Sequence, residues 1–178
     1  MWHTGFKAFT ASTLIGVLGG CGLAQKVADG TASTAHAIFY KQVRTLHLDL
    51  NGRSAMNTHA EEMSGLSVPV LVRVYQLRGS QAMQSATYDD LVSQGERVLR
   101  DDVLDEHVVV IKPGEAAQLS TPLQGEAQHV GVVALFRSPD VVQDTWRLVL
   151  DRDDLDPDQA RVIELGDNRL TLRPRAEG

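Results

Sequence analysis

With 178 residues and 19.4 kDa, the chain has the length of one domain rather than two. Hydrophobic residues at 43% and charged residues at 22% exclude a disordered or collagen-like chain. A net charge of −6 with 5% aromatics argues against a basic face for phosphates or a base-stacking platform. A single cysteine excludes an internal disulfide and a four-thiolate zinc site.

Residues 1–20 hold one lysine, Lys7, and no acidic side chain. The apolar stretch from Ala8 to Leu18 is too short for a bilayer-spanning helix, which needs about 20 residues, and fits the h-region of a secretory signal peptide. It ends in Leu18-Gly19-Gly20-Cys21, which resembles a bacterial lipobox: the thiol of Cys21 is diacylated, the chain is cut before it, and the new amine is acylated. Loss of Lys7 leaves 16 basic against 23 acidic side chains in the mature chain. Several acyl chains, at about 0.8 kcal/mol per buried CH₂, make such an anchor effectively permanent. Gly22 follows the cysteine; bacterial lipoproteins held in the inner membrane usually carry Asp there, so the analogy points to the outer membrane. Residues 21–37 are rich in Ala, Gly, Ser and Thr and read as a flexible tether with a reach of about 20–24 Å.

The remainder, 38–174, is predicted as one all-β domain. Leu46, Leu48 and Leu50 alternate with His47 and Asp49, the period of a half-buried strand. Val68 to Leu77 is nearly continuous apolar, as in a strand covered on both faces, with Pro69 at its start. Tyr88, Leu91 and Val92 take helical spacing, and Thr87 with Asp90 resembles a capping box; Gly95 ends that turn and Val98-Leu99 resumes another, giving one or two short helices. Strands follow at His107 to Lys112, at Ala116 to Leu119 as its partner after the Pro113-Gly114 turn, at Val130 to Arg137, and at Trp146 to Asp151. Val162 to Leu165 and Arg169 to Leu172 form a last hairpin around Gly166-Asp167-Asn168. About eight strands so spaced predict an antiparallel β-sandwich.

Catalytic signals are missing. There is no G-x-S-x-G elbow, H-E-x-x-H or phosphate-cradling glycine loop, and the six histidines are scattered. The acidic run Asp151, Asp153, Asp154, Asp156 and Asp158 fails the calcium-loop spacing in two frames and reads as a solvated turn region. No enzyme activity, cofactor or metal site is expected.

Five motifs in order resemble the type VI secretion lipoprotein family TssJ. Val70-Leu71-Val72-Arg73-Val74-Tyr75-Gln76-Leu77 is similar to its V-x-V-R-x-Y-Q-L strand. Lys112-Pro113-Gly114-Glu115 is similar to its x-P-G-E turn, Val130 to Arg137 to its V-G-V-V-A-x-F-R strand, and Trp146-Arg147 to its W-R. The lipobox at Cys21 completes the set, and Tyr88-Asp89-Asp90-Leu91 departs from it where the family often has Phe. The resemblance implies a transthyretin-like sandwich with helices inserted after the second strand. It also implies a non-enzymatic outer-membrane lipoprotein that holds the periplasmic C-terminal region of TssM, with TssL in the same complex. Two other classes stay open: a generic lipid-anchored sandwich for sugar or peptide, which needs an exposed aromatic platform, for which Trp146 and Tyr75 are the candidates, and a periplasmic hydrolase, which needs a nucleophile or metal constellation that the sequence does not display.

The connection from Asn51 to Ser67 is long for a sandwich. In TssJ proteins this loop engages TssM. Here the expected partner-binding residues are Met56, Met63 and Leu66 as apolar anchors, since methionines adapt to a partner surface, with Arg53, Glu61 and Glu62 beside them to set register and association rate.

Overall fold

The computed structural model describes residues 43–58 and 66–175. Cys21, the signal segment, the tether, Glu61, Glu62 and Met63 lie outside the described residues. Eight strands form two four-stranded sheets. One sheet has the order β4-β1-β7-β8, built from β1 (Thr45–Gly52), β4 (Ala116–Pro122), β7 (Arg161–Gly166) and β8 (Arg169–Leu172). The other has the order β3-β2-β5-β6, built from β2 (Val70–Leu77), β3 (Val103–Ile111), β5 (His129–Ala134) and β6 (Arg147–Asp151).

Alternation decides the inner faces. Leu46, Leu48 and Leu50 of β1 are buried to 1% exposure or less and face Val72, Val74, Val130 and Val132 in one core. Each such side chain contributes about 1.5–3 kcal/mol by leaving water. The second sheet is covered on both sides, because α1 (Gln81–Ser85) and α2 (Tyr88–Val98) pack on its outer face. That is why β2 is apolar on both faces and why Tyr75 and Leu77 are buried along with Val74.

Three expectations need correction. The sandwich is not wholly antiparallel: β1 and β7 pair in parallel, with Leu48 opposite Arg161 and Gly52 opposite Leu165. The strand after Pro113-Gly114 does not return beside β3; β4 pairs with β1 in the other sheet. The turn is type II in character, with Gly114 at φ +74° and Glu115 N donating to Lys112 O (3.0 Å), and it carries the chain between layers. Finally, β5 stops at Ala134 rather than Arg137. Leu135 N still donates to Leu71 O, but Phe136 N turns back to Ala134 O (3.0 Å) and Arg137 N leaves the sheet for Asn57 Oδ1.

The capping box at Thr87 forms as expected: Asp90 N donates to Thr87 Oγ1 (3.2 Å) and Thr87 N to Asp90 Oδ2 (3.1 Å). The Thr87 hydroxyl, donating to Asp90 Oδ2 (2.7 Å), and then the Thr87 N–H hold the Asp90 carboxyl below its ordinary pKa. The helix is interrupted at Gln94 (φ −143°, ψ 27°), beside Gly95. A Cβ on Gly95 would lie 3.1 Å from Tyr75 Oη and 3.3 Å from Arg73 Nη1, so the helix comes down onto the sheet there. At the end where β1 begins, Arg152 ties the layers together, donating to Ala127 O (2.6 Å) and Val43 O (2.8 Å).

Candidate functional site

The strand directions bring four connections to one end: residues 53–69, 112–115, 135–146 and 167–168. The β7–β8 link is a two-residue turn with both Asp167 (φ 51°) and Asn168 (φ 58°) in the left-handed region, the geometry of a type I′ hairpin, for which Asn and Asp are suited.

The root of the 53–69 loop is pinned to all three neighbours. Arg53 N donates to Leu165 O (2.8 Å), Gly114 N to Arg53 O (3.3 Å) and Asp167 N to Ala55 O (3.0 Å). Asn168 Nδ2 donates to Thr58 O (2.9 Å). Asn57 is the junction: it is 2% exposed, sits at φ 51°, donates from Nδ2 to Pro69 O (2.9 Å) and accepts at Oδ1 from Arg137 N (2.7 Å). One side chain thus closes the loop on itself and joins it to the 135–146 connection. Sequence reasoning passed over Asn57; its only signal was an asparagine in a long loop.

Met56 is fully buried in the core, and its backbone N donates to Ser67 Oγ (3.1 Å). The expectation of a surface anchor is corrected here: Met56 is an internal pin. Leu66, in contrast, is 63% exposed. Arg53 lies along the outer face of the first sheet, its Nη2 3.1 Å from Glu164 Oε2, and Glu164 also meets Arg173 (3.3 Å). The Arg53 stem occupies the space over Gly166, where a Cβ would come within 2.7 Å of Cδ.

A second apolar element at this end was not foreseen. Val141 (58% exposed) and Val142 (91%) crown the 135–146 connection. Asp140 holds them there, its Oδ1 accepting from Val142 N (3.0 Å) and Gln143 N (2.9 Å). Behind them opens a cleft of about 820 Å³ lined by Tyr88, Arg137, Pro139, Val141 and Arg147.

The motif residues hold the scaffold. Arg147 Nη1 donates to Met83 O (2.7 Å) and Ala86 O (2.6 Å), its Nη2 pairs with Asp144 (2.9 Å), and its guanidinium lies 4.8 Å from the Trp146 ring centre. Tyr88 meets Trp146 edge to face at 5.1 Å and donates to Phe136 O at 2.6 Å; burial, then Asp89, raises its pKa above the ordinary value. Arg73 Nη1 donates to Leu91 O (3.0 Å) and so fixes α2, while buried Gln76 bridges Pro122 O and Gln124 N. Trp146 and Tyr75, which a sugar-binding platform would need at the surface, are at most 1% exposed.

Among the described residues no three His, Cys, Asp or Glu side chains gather as a metal site. His47 pairs with Ser120, His107 with Asp105 and Thr121, and His129 with Asp151. The acidic run caps its own backbone: Asp156 Oδ1 accepts from Asp158 N and Gln159 N. No described helix is long and apolar enough to cross a membrane.

Comparison with known proteins agrees with this scaffold. Residues 44–168 match the family model described as type VI secretion lipoprotein, with VasD, EvfM and TssJ among its names. A chain in the structure described as "T6SS protein TssM C-terminal domain (869-1107) from EAEC" is 39% identical, with a TM-score of 0.68, over 75% of this chain and 100% of that one. A chain of a "Type VI membrane complex" is 41% identical, with a TM-score of 0.70 and the same coverage. The T6SS lipoprotein TssJ1 from Pseudomonas aeruginosa, at 24% identity over 75% of this chain and 99% of that one, shares the fold with a TM-score of 0.60. No curated protein matches the sequence. With the family model spanning most of the sandwich and two chains near 40% identical along their whole lengths, this protein belongs to the type VI secretion lipoprotein family that includes TssJ.

Proposed function

We propose that the protein is the lipid-anchored outer-membrane member of a type VI secretion membrane complex, and that the loop end of its sandwich binds the periplasmic C-terminal region of TssM. In this reading residues 1–20 are removed, Cys21 carries the acyl chains, residues 21–37 are the tether, and TssL joins the complex through TssM. The role is structural rather than enzymatic.

The observation that carries the proposal is the 39% and 41% identity to whole chains from structures described as the TssM C-terminal domain and the type VI membrane complex. The geometry supports the choice of face. Leu66, Val141 and Val142 are three of the large apolar side chains left exposed, and each stands on a connection whose root is hydrogen-bonded. Apolar residues presented on a fixed frame lose little entropy on docking. Arg53, Glu61, Glu62 and Met63 belong to the same loop as Leu66; Met56 contributes by holding the loop from inside.

The test is a titration of the TssM C-terminal periplasmic domain against wild type, Leu66→Asp and Val142→Asp, with thermal melts as the folding control. A carboxylate carried into an apolar contact should weaken binding by about tenfold or more at each position, with melting unchanged because both side chains are exposed. Equal affinities would move the interface to another face.

A further inference from the structure

The four sheet edges of this sandwich are not alike. β8 has four residues and β6 five; β4 ends in Pro122 and exposes Ala116, Gln118 and Ser120. Short, polar or proline-bearing edges resist pairing with another chain. β3 is the exception. It is an edge strand of nine residues, the longest of the eight, without proline or lysine inside it. Its second half, Val108-Val109-Val110-Ile111, leaves Val108 56% and Val110 59% exposed. Pairing with β2 puts Val110 beside Leu71, Val108 beside Arg73 and Glu106 beside Tyr75, all on the outer face of the sheet. A cleft of about 380 Å³ separates this strip from α2, lined by Leu71, Arg73, Glu96, Glu106 and Val108.

From this edge we infer a contact with a second copy of this chain: two β3 strands pair antiparallel about a two-fold axis through Val109 and continue the sheet from four strands to eight. The sequence is self-complementary in that register and sign. Val108 of one copy lies against Val110 of the other, an apolar β-branched pair of the kind that stabilises sheets. Two residues out on the same face, Glu106 meets Lys112 of the second copy. Lys112 is free to exchange partners, because its present ion pair with Glu115 (3.3 Å) is about 60% exposed on both sides. A shift of one residue would lose both matches and turn each valine to the opposite face. The pairing covers about seven residues per chain, small by the standard of stable interfaces, so it depends on concentration. Tethering at a membrane supplies that concentration. The inference does not rest on TssM binding.

Register-specific cross-linking tests it on the full lipidated chain in phospholipid vesicles. Exposed Val108→Cys and Val110→Cys are made in separate chains, reconstituted alone or mixed, and oxidised mildly. The two-fold axis brings residue 108 of one copy to residue 110 of the other, so the mixture should give a disulfide dimer at a yield about tenfold above either variant alone. In the same vesicles, with the cysteines kept, Glu106→Lys and Lys112→Glu should each reduce cross-linking and the double exchange should restore it. Cross-linking no greater in the mixture than in the single variants overturns the register. Failure of the double exchange to restore it overturns the ion pair. Protection of β3 amides from hydrogen exchange only when the TssM domain is added would assign this edge to TssM and overturn self-pairing.

Discussion

Asn57→Ala is expected to destabilise the fold far more than a loop substitution ordinarily does. The side chain makes two hydrogen bonds, to Pro69 O and from Arg137 N, each worth about 1 kcal/mol net, and truncation strands the buried partner groups at about 1–3 kcal/mol each. Its backbone sits at φ 51°, a region that costs an alanine about 1–2 kcal/mol and a glycine nothing. With the stranding cost taken at its low end for both partners and not added again to the bonds themselves, the combined loss is about 2 kcal/mol for Gly and, with the backbone cost, about 3–4 kcal/mol for Ala. Urea unfolding of residues 22–178 reads this directly, because Trp146 is then the only tryptophan and is 1% exposed in the folded state. Asn57→Asp separates the two bonds further: Oδ1 still accepts from Arg137 N, while the donor to Pro69 is gone. If Asn57→Ala unfolds within about 0.5 kcal/mol of wild type, the junction role is refuted. If Gly and Ala are equal, the backbone term is refuted.

Two further expectations concern the anchor and alkaline pH. Cys21→Ser should abolish lipid labelling and release the protein as a soluble form, whereas continued fractionation with the outer membrane would refute the lipobox reading. Burial raises the pKa of Tyr75, partly opposed by Arg73, and burial with Asp89 raises that of Tyr88. The folded state therefore holds both phenolic protons more tightly than the unfolded chain, so their contribution is complete below pH 10.0 and is lost as pH rises through the folded values. Stability measured by urea between pH 9 and 11 should fall in wild type and fall less in Tyr88→Phe; parallel curves would refute the assignment.

Much of the fold was legible because its signals are local. The alternation of Leu46, Leu48 and Leu50, the Pro113-Gly114 turn and the Thr87–Asp90 box each need only neighbours in sequence, and each is where it was expected. Partner choice between strands is not local. Ala116 to Leu119 reads as the return strand of a hairpin, yet β4 joins β1, because the four-residue turn can either fold a strand back in its own sheet or pass it to the facing one. β3 begins at Val103, earlier than its apolar run, since Asp105 and Glu106 interrupt the pattern while still pairing with Gln76 and Tyr75. In the binding loop, charge and hydrophobicity gave composition without direction. Met56 and Leu66 look alike in sequence, and only the bonds around Asn57 and Ser67 turn one inward and leave the other out. Val141 and Val142 were overlooked for a related reason: a short apolar pair after Pro139 reads as packing until the Asp140 turn is seen to lift it clear.

The parallel pairing of β1 with β7 bears on how the chain reaches its compartment. β1 is an inner strand of its sheet, and its two neighbours there, β4 and β7, come from much later in the chain, with Leu48 meeting Arg161 more than a hundred positions away. Contacts so distant in sequence slow folding, since the entropy of closing the intervening chain is lost before any of the pairing is gained. Under the proposal that residues 1–20 direct the chain through the inner membrane as an extended polypeptide, that delay is useful. β1 has neither of its sheet neighbours until β4 and β7 have been made.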